Sequence, residues 1–267
     1  MRCPVCEGEM KFSFTATVLS KYQASYEVCD NCGFLCARDP NWLDEAYTSA
    51  IAAADTGLVM RNLSIASKLA GVLYWVLQER GTGRYLDAAG GYGMLTRLMR
   101  DLGFDFYWAD KYCDNLLARG FEYSPVLGPC TAVTAIEVME HLTDPAAFIE
   151  ETLAFSGAQT LIFTTELYEG APPKPDEWWY YAFETGQHIG FFQRRTLKIL
   201  GRHLGLHFAS ANGLHVLSRK LINATLLKCA TSRWASRIAP WWIRRRLGSK
   251  TMDDHRLMLR RSQSCPT

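Results

Sequence analysis

The sequence lacks the features that would mark a membrane-spanning or secreted protein. No apolar run reaches the roughly 18 residues that a membrane-spanning helix needs. No charged, apolar and cleavable leader precedes the first cysteines, which favours a reducing cytoplasm where disulfides are rare. Internal repeats and low-complexity segments are also missing. We therefore expect a globular protein, and 267 residues with 48% hydrophobic composition suffice for one α/β core and a small appendage.

Neither sign of charge dominates the whole chain, but basic residues concentrate near its end. The net charge is +2, yet residues 219–267 hold twelve lysines and arginines against two aspartates. The same segment places Trp234, Trp241 and Trp242 among its arginines. Three interpretations stay open, of which we expect the first: a packed helical cap with a solvated basic face, a contact with an anionic membrane surface, or nucleic-acid binding.

Two Cys-x-x-Cys pairs lie near the N-terminus. Cys3 and Cys6 form the first pair, and Cys29 and Cys32 form the second after 22 intervening residues that predict a β-hairpin. Each pair of thiolates can hold one edge of a tetrahedral Zn²⁺. We therefore predict a structural zinc ribbon over residues 1–40, whose metal can be lost while the main domain stays folded. The other cysteines are interpreted as ordinary thiols: Cys36, Cys113, Cys130, Cys229 and Cys265.

The most informative segment, residues 84–110, predicts a strand, a glycine-rich turn, a helix and a second strand. The first strand ends in Asp87, and the second ends in Asp110, whose carboxylate suits a ribose diol. The turn reads D-A-A-G-G-Y-G and lacks the third glycine of the dinucleotide pattern. A carboxylate at the strand end disfavours a pyrophosphate and favours a ligand with a cationic amino-acid portion, such as S-adenosylmethionine.

This segment resembles the first motif of the class I methyltransferases, D-x-G-x-G-x-G, with Ala89 in place of its first glycine. The resemblance implies an α/β, Rossmann-like, seven-stranded sheet with an antiparallel last strand. We place that domain at residues 41–218, with a helical lid over 41–80 and the core over 81–218, before a basic helical tail over 219–267. The predicted cofactor-binding residues are Asp87, Ala89, Gly91, Gly93, Asp110, Lys111, Glu137 and Arg61.

A polar group follows the predicted fourth strand at residues 131–138. Glu140 and His141 resemble the E-V-x-E-H segment of many small-molecule methyltransferases, while Asp144 and Pro145 fit the start of a helix. Both interpretations are compatible, because the helix can begin at Asp144 while Glu140 and His141 face the cleft.

The segment 171–192, after the predicted fifth strand at 158–168, is rich in aromatic and acidic residues. Its GQHIGFF part resembles a stretch in methyltransferases of bacterial sugar and glycan pathways. Aromatic faces beside carboxylates suit a sugar, and long loops at strand ends carry specificity in such folds. The predicted substrate-binding residues are Trp178, Tyr180, Tyr181 and Glu184.

Methylation of a hydroxyl or an acidic C–H group needs a general base. We predict His188 as the first candidate and His141 as the second, because a neutral imidazole is available near neutral pH. Glu140 is predicted to orient or polarise either ring. We expect His188 to face the sulfonium methyl group, with Glu140 and His141 on the opposite side of the acceptor.

Together these features predict S-adenosylmethionine-dependent methylation of a small-molecule acceptor, a sugar or glycan intermediate. Sugar C-methyltransferases that act on nucleotide-linked deoxysugars also carry an N-terminal zinc-binding domain with paired Cys-x-x-Cys motifs. Two alternatives remain: a ribosomal RNA guanine methyltransferase led by a zinc ribbon, which the basic tail favours, and a catalytically silent binding module, which Ala89 favours. The EVMEHL and GQHIGFF segments favour the small molecule.

Overall fold

A computed structural model describes residues 2–48 and 55–264 of the protein. Cys265 and part of the predicted lid, residues 49–54, lie outside the described residues. Two sheets organise the described chain, a four-stranded sheet near the N-terminus and a six-stranded sheet in the main domain. None of the described helices combines the length and the apolar character needed to cross a membrane.

The first sheet is antiparallel and begins with the hairpin expected between the cysteine pairs. Its strand order is β1-β2-β3-β8. The last strand comes from far along the chain, since Gly190 and Phe191 pair with Cys36 and Leu35. The main domain therefore completes the N-terminal sheet. The strands are β1 (Met10–Val18), β2 (Tyr22–Cys29), β3 (Leu35–Ala37) and β8 (Gly190–Phe191).

The second sheet is mixed and has the order β5-β4-β6-β7-β10-β9. The first four strands of this order are parallel, and β10 runs antiparallel to both of its neighbours, as expected for the last strand. A tight turn at Asn212 and Gly213 joins β9 to β10. The strands are β4 (Arg84–Ala88), β5 (Asp105–Ala109), β6 (Ala132–Ala135), β7 (Thr160–Phe163), β9 (His207–Ala211) and β10 (Leu214–Ser218).

The described part of this sheet has six strands, whereas the sequence predicts seven. The segment beyond β5 forms a single parallel bridge, between Trp108 and Glu122. The Trp108 N–H donates to the Phe121 carbonyl and the Tyr123 N–H donates to the Trp108 carbonyl, both at 2.8 Å. A strand needs a longer run of such bonds, so the expected edge strand is reduced to one bridge.

Helix α4 (Pro145–Ser156) begins and ends at local capping signals. Asp144 starts α4 by accepting a hydrogen bond from the Ala147 N–H at 2.9 Å, with Pro145 next, and Gly157 ends it in a left-handed conformation. The predicted helix within the lid is α2, which continues into one π-helical turn. The described helices are α1 (Leu43–Ala46), α2 (Leu58–Gly71), α3 (Met94–Asp101), α4 (Pro145–Ser156), α5 (Arg194–His203), α6 (Ala224–Ala230), α7 (Arg233–Leu247) and α8 (Thr251–Ser264).

The C-terminal helices pack against the main domain. Helix α7 lies along α2 and buries Ala239 and Ile243 in the same apolar core as β4 and β5. Helix α8 is joined to α3 by the buried Arg100, whose guanidinium donates to both carboxylate oxygens of Asp254 at 2.7 and 2.8 Å. The C-terminal segment is thus a docked helical cap.

Candidate functional site

A cavity of about 1540 Å³ opens at the carboxyl ends of β4, β5 and β6. Its lining begins at the glycine-rich turn, passes Asp110 and Glu137, and ends at His188 in the loop before β8. Pockets for one ligand usually enclose about 300–1,000 Å³. The cavity therefore has room for a cofactor and an acceptor side by side.

Asp110 holds the glycine-rich turn from the end of β5. Its Oδ2 accepts a hydrogen bond from the Gly91 N–H at 2.9 Å. Its Oδ1 accepts from the N–H groups of Tyr112 and Cys113 at 2.7 and 2.9 Å. A carboxylate oxygen has two lone pairs, so Oδ2 keeps capacity for one more donor, such as a ribose hydroxyl.

Asp87 lies beneath the same turn and is 2% exposed. The Thr134 hydroxyl donates to its Oδ1 at 2.8 Å, and the Thr96 hydroxyl donates to its Oδ2 at 3.3 Å. Burial raises the pKa of Asp87 to about 7, although both hydrogen bonds oppose that shift. Asp87 therefore ties the turn to β6 and α3 at the edge of the cavity, and its predicted contact with the cofactor stays a prediction.

Ala89 adopts the backbone conformation that glycine would favour. Its φ is 54°, in the left-handed region, next to Gly91 at 53° and Gly93 at 84°. A left-handed conformation costs a residue with a Cβ atom roughly 1–2 kcal/mol. The replacement of the motif's first glycine thus leaves the turn intact but strained beside the cavity.

Glu137 and Arg61 form a polar part of the cavity lining. Glu137 also has a left-handed backbone conformation, with φ at 53°. The Thr164 hydroxyl fixes this residue, because it accepts a hydrogen bond from the Glu137 N–H at 2.9 Å and donates one to Oε1 at 2.6 Å. Burial and the nearby Glu140 raise the pKa of Glu137. Arg61 pairs with Asp55 and lies 4.0 Å from Glu137, and Lys111 lines the rim.

Glu140, His141 and His188 form one cluster. The two imidazole rings lie 4.9 Å apart and nearly perpendicular. The expectation that His188 faces Glu140 and His141 across the acceptor is therefore wrong. The physical reason is that the loop before β8 packs on the helical turn at 139–141, where the Ile189 N–H donates to the Glu140 carbonyl at 2.8 Å.

Hydrogen bonds orient both imidazole rings. His188 Nδ1 lies 2.7 Å from the Tyr180 carbonyl oxygen, and His141 Nδ1 lies 3.0 Å from that of Gln187. A carbonyl oxygen only accepts, so His188 Nδ1 carries a hydrogen, whereas His141 Nδ1 also lies 2.9 Å from the Tyr47 hydroxyl, which can donate or accept. Burial lowers the pKa of His141 to about 3, so this ring is neutral near pH 7.

Glu140 is fully buried and, unlike both histidines, does not line the cavity, which corrects the prediction that it faces the cleft. Neither carboxylate oxygen has a hydrogen bond of good geometry among the described residues. The hydroxyls of Tyr180 and Thr165 lie near the carboxyl group and bond to each other at 3.2 Å, so one of their two hydrogens remains for the carboxyl group. Burial raises the pKa of Glu140, while the neighbouring His188 lowers it. The cluster therefore combines a buried carboxyl group with two imidazole rings.

The aromatic loop divides between core and cavity. Tyr180 and Glu184 line the cavity as predicted, but Trp178 and Tyr181 do not. Tyr181 is buried, donates its hydroxyl to the Pro173 carbonyl at 2.7 Å, and meets the Trp178 ring at 5.0 Å. Both side chains pack in the apolar core of the N-terminal sheet, which corrects their predicted role.

Trp179 and Tyr47 line the cavity but are not among the predicted site residues. Trp179 lines the cavity and is 77% exposed, because the short helical turn at Trp179–Tyr181 sends adjacent side chains in different directions. Tyr47 lies in the lid, and its hydroxyl is 2.9 Å from His141 Nδ1. The spacing of aromatic residues gives no signal that distinguishes Trp179 from its neighbours.

Comparison with protein-family models identifies the domain. The model described as "Methyltransferase domain" matches residues 61–211. The chain belongs to this family. Its cavity is lined by the glycine-rich turn and by the aspartates at the ends of β4 and β5, and the protein is an S-adenosylmethionine-dependent methyltransferase. Comparison with curated proteins gives no significant match.

Several solved methyltransferase structures are similar to part of the chain. TnmH is 17% identical with a TM-score of 0.45, over 66% of this chain and 60% of that one. Magnesium protoporphyrin IX methyltransferase from Synechocystis PCC 6803, with bound SAH, is 12% identical with a TM-score of 0.41, over 66% and 91%. The mitomycin 7-O-methyltransferase MmcR is 14% identical with a TM-score of 0.41, over 58% and 52%. The match thus covers under two thirds of TnmH and MmcR, and nothing about the acceptor follows from likenesses of this degree.

The four predicted metal-binding cysteines of the methyltransferase come together. Their sulfur atoms all lie within 4.8 Å of one another, with Cys3 and Cys32 at 3.5 Å and Cys6 and Cys29 at 3.4 Å. A tetrahedron with Zn–S bonds of about 2.3 Å has sulfur–sulfur edges of about 3.8 Å. The cluster therefore fits a four-thiolate metal site, and Cys36 lies outside it.

The cysteine cluster is docked on the main domain. The Thr196 hydroxyl at the start of α5 donates to the Cys32 carbonyl at 2.7 Å, and His203 Nδ1 lies 2.9 Å from the Val5 carbonyl oxygen. Three of the cysteines also share one apolar core with Phe163 and Leu197. The metal module and the main domain thus share packing, so we expect metal loss to lower the stability of the main domain. That this domain stays folded without the metal stays a prediction.

Proposed function

We propose that this methyltransferase transfers the methyl group of S-adenosylmethionine to a hydroxyl group of a small, neutral acceptor, a sugar or glycan intermediate. The observation that carries the proposal is the cluster of Glu140, His141 and His188 beside the cofactor motif. Two imidazole lone pairs and a buried carboxyl group can assist the loss of a hydroxyl proton. An amine acceptor near neutral pH needs less of this assistance.

The charge of the cavity supports a small neutral acceptor over RNA. Among the described residues that line it, seven are acidic and two are basic. A site for RNA needs positive charge, because phosphate contacts dominate the affinity for nucleic acids. The exposed Trp179 ring and the Glu184 carboxylate offer a stacking face and hydrogen-bond acceptors, which suit a sugar.

Cofactor binding is tested by Asp110→Ala. We expect the affinity for S-adenosylhomocysteine to fall by more than about 1.5 kcal/mol, roughly tenfold, because hydrogen bonds to a charged group are lost and the turn loses its anchor. Isothermal titration calorimetry measures this. Asp114→Ala is the matched control, since Asp114 is exposed and lies outside the cavity lining. Unchanged affinity in Asp110→Ala would remove the ribose assignment, and no binding by the unmodified protein would favour a silent module.

We further infer that the four-cysteine cluster holds a structural Zn²⁺. Four thiolates leave no open coordination position, so such an ion supports the fold and takes no part in methyl transfer. The Phe34 N–H and the Asn31 amide donate to the sulfurs of Cys32 and Cys6 at 3.4 and 3.3 Å, which suits thiolate ligands.

We also propose that the outer face of α7 contacts an anionic membrane surface. Trp234, Ile238 and Trp241 follow one another at helical spacing and are 74, 57 and 58% exposed. Arg237 and Arg245 are exposed on the same stretch, and the Arg245 guanidinium lies 4.4 Å from the centre of the Trp241 ring. Apolar rings beside arginines suit an anionic interface, whereas an exposed isoleucine adds nothing to RNA binding.

Vesicle sedimentation checks this surface. We expect the protein to bind vesicles that contain phosphatidylglycerol but not vesicles of pure phosphatidylcholine. The double variant Trp234→Ala/Trp241→Ala should lose most of this binding, because both interfacial rings are removed. Phe12→Ala, which removes another exposed aromatic ring, is the control. Equal binding by the double variant, or displacement of the vesicles by RNA, would contradict the proposal.

A further inference from the structure

We propose that Glu140, His141 and His188 bind one divalent metal cation at the acceptor end of the cavity. One ligand atom from each of the three residues lies within 4.8 Å of the other two. Two imidazole nitrogens and one carboxylate oxygen form a known three-ligand face for first-row divalent metals, with the remaining positions left open. This site is distinct from the four-cysteine cluster.

The histidines are already oriented as metal ligands. His188 donates its Nδ1–H to the Tyr180 carbonyl, and His141 Nδ1 lies 3.0 Å from the Gln187 carbonyl and 2.9 Å from the Tyr47 hydroxyl. Histidine ligands almost always donate their second ring N–H to such a partner, which fixes the tautomer and the ring orientation. The His188 ring therefore presents an Nε2 lone pair without any change of tautomer, and the His141 ring does so when its Nδ1–H is donated to the Gln187 carbonyl.

The carboxyl group of Glu140 points to a cation independently of the histidines. It is fully buried with both oxygens unpartnered among the described residues, which is costly for a charged group and unusual for a neutral one. The hydroxyls of Tyr180 and Thr165 bond to each other, so only one hydroxyl hydrogen is left for the carboxyl group, and at least one carboxylate oxygen stays open to a cation. A cation bound to one or both oxygens would satisfy the carboxylate and neutralise its charge.

The surrounding charges favour a cation at this position. Glu137, whose Oε2 lies 4.0 Å from Arg61 Nε, is the nearest further carboxylate and interacts electrostatically with Glu140. Arg61 is already engaged by Asp55. Two imidazoles with one carboxylate suit Mn²⁺, Fe²⁺ or Zn²⁺ better than Ca²⁺, which takes oxygen ligands.

This inference rests on the proposed function and explains how the cluster would activate the acceptor. An acceptor hydroxyl that binds at an open position of the cation has a lowered pKa. Its proton passes to Glu137 or to water, the oxygen attacks the methyl carbon, and the carbon–sulfur bond breaks to release S-adenosylhomocysteine. In this arrangement His188 holds the cation and is no longer the proton acceptor.

The test is a titration of the full-length protein, prepared with one zinc per chain, with Mn²⁺ in the presence of S-adenosylhomocysteine. Electron paramagnetic resonance measures the free Mn²⁺, and calorimetry on the same samples measures S-adenosylhomocysteine binding. We expect one Mn²⁺ per chain, and at least a tenfold loss of Mn²⁺ affinity in Glu140→Gln and in His188→Gln, since even the loss of supporting contacts around a metal costs about 10–100-fold.

His207→Ala is the matched control, because His207 is an exposed histidine on β9 and should leave Mn²⁺ binding unchanged. An unmodified protein that binds S-adenosylhomocysteine but no Mn²⁺ would overturn the inference and leave the proposed function standing. The inference also fails if Glu140→Gln binds Mn²⁺ as tightly as the unmodified protein. Absence of S-adenosylhomocysteine binding would instead count against the proposed function itself.

Discussion

Cys29→Ser is expected to abolish zinc binding and to lower the midpoint of thermal unfolding by roughly 6–12 °C, at about 2–4 °C per kcal/mol for a chain of this size. Structural zinc contributes about 10–16 kcal/mol in small zinc-folded peptides. We assume that about 3 kcal/mol of this reaches the main domain, because Cys29 is fully buried in the core that includes Phe163 and Leu197. Elemental analysis and scanning calorimetry measure the two effects.

The matched control for this prediction is Cys36→Ser. Cys36 is also buried and lies on β3, but its sulfur is outside the four-cysteine cluster, so zinc content should stay at one per chain. A strong zinc chelator should reproduce the loss of stability in the unmodified protein. Protein purified without chelator and found free of zinc, or a Cys29→Ser variant that unfolds at the unmodified temperature, would argue against the metal site.

The parts of the fold that the sequence predicts correctly depend on neighbouring residues. The strand, glycine turn and helix at 84–101, the hairpin between the cysteine pairs, and the capped start of α4 at Asp144 each carry their signal within a few positions. Strand ends, turn glycines and helix caps are local chemistry. The cofactor half of the cavity follows from these segments.

The parts that sequence analysis missed depend on distant pairings. Nothing in the spacing of Gly190 and Phe191 predicts that they pair with Leu35 and Cys36. That pairing brings the loop before β8 onto the turn at Met139–His141 and so joins His188 to His141. Local patterns place both histidines near the cavity but do not specify which side each one occupies.

Aromatic residues show the same limit at closer range. Trp178, Trp179, Tyr180 and Tyr181 are consecutive and chemically alike, yet Trp178 and Tyr181 enter the core while the other two line the cavity. The N-terminal sheet determines which side chains are buried, because its Tyr26 and Phe191 pack against Tyr181. Composition alone assigns an aromatic residue to a loop, not to one side of it.

Substitution of His188 by alanine should lower the turnover of methyl transfer at least a hundredfold while leaving S-adenosylhomocysteine affinity unchanged. Assistance to proton loss is typically worth ~10²–10⁴ in rate, and a hundredfold corresponds to about 2.7 kcal/mol in the barrier. The ring lines the acceptor end of the cavity, and its one hydrogen bond in the described structure goes to the Tyr180 carbonyl. The measurement is S-adenosylhomocysteine release with the best acceptor from a panel of sugars and glycan intermediates.

His188 is the informative position in the cluster because its removal disturbs little else. His141→Ala would also release Tyr47 and the Gln187 carbonyl, so a loss of activity there mixes packing with chemistry. For His188→Ala, an unchanged unfolding midpoint and unchanged S-adenosylhomocysteine affinity isolate the chemical step, and His207→Ala should keep full turnover. If His188→Ala retains more than about a tenth of the turnover, far above the residual rate left by loss of an acid–base group, then neither proton acceptance nor cation binding by His188 drives the reaction, and the acceptor is activated by other groups in the cavity.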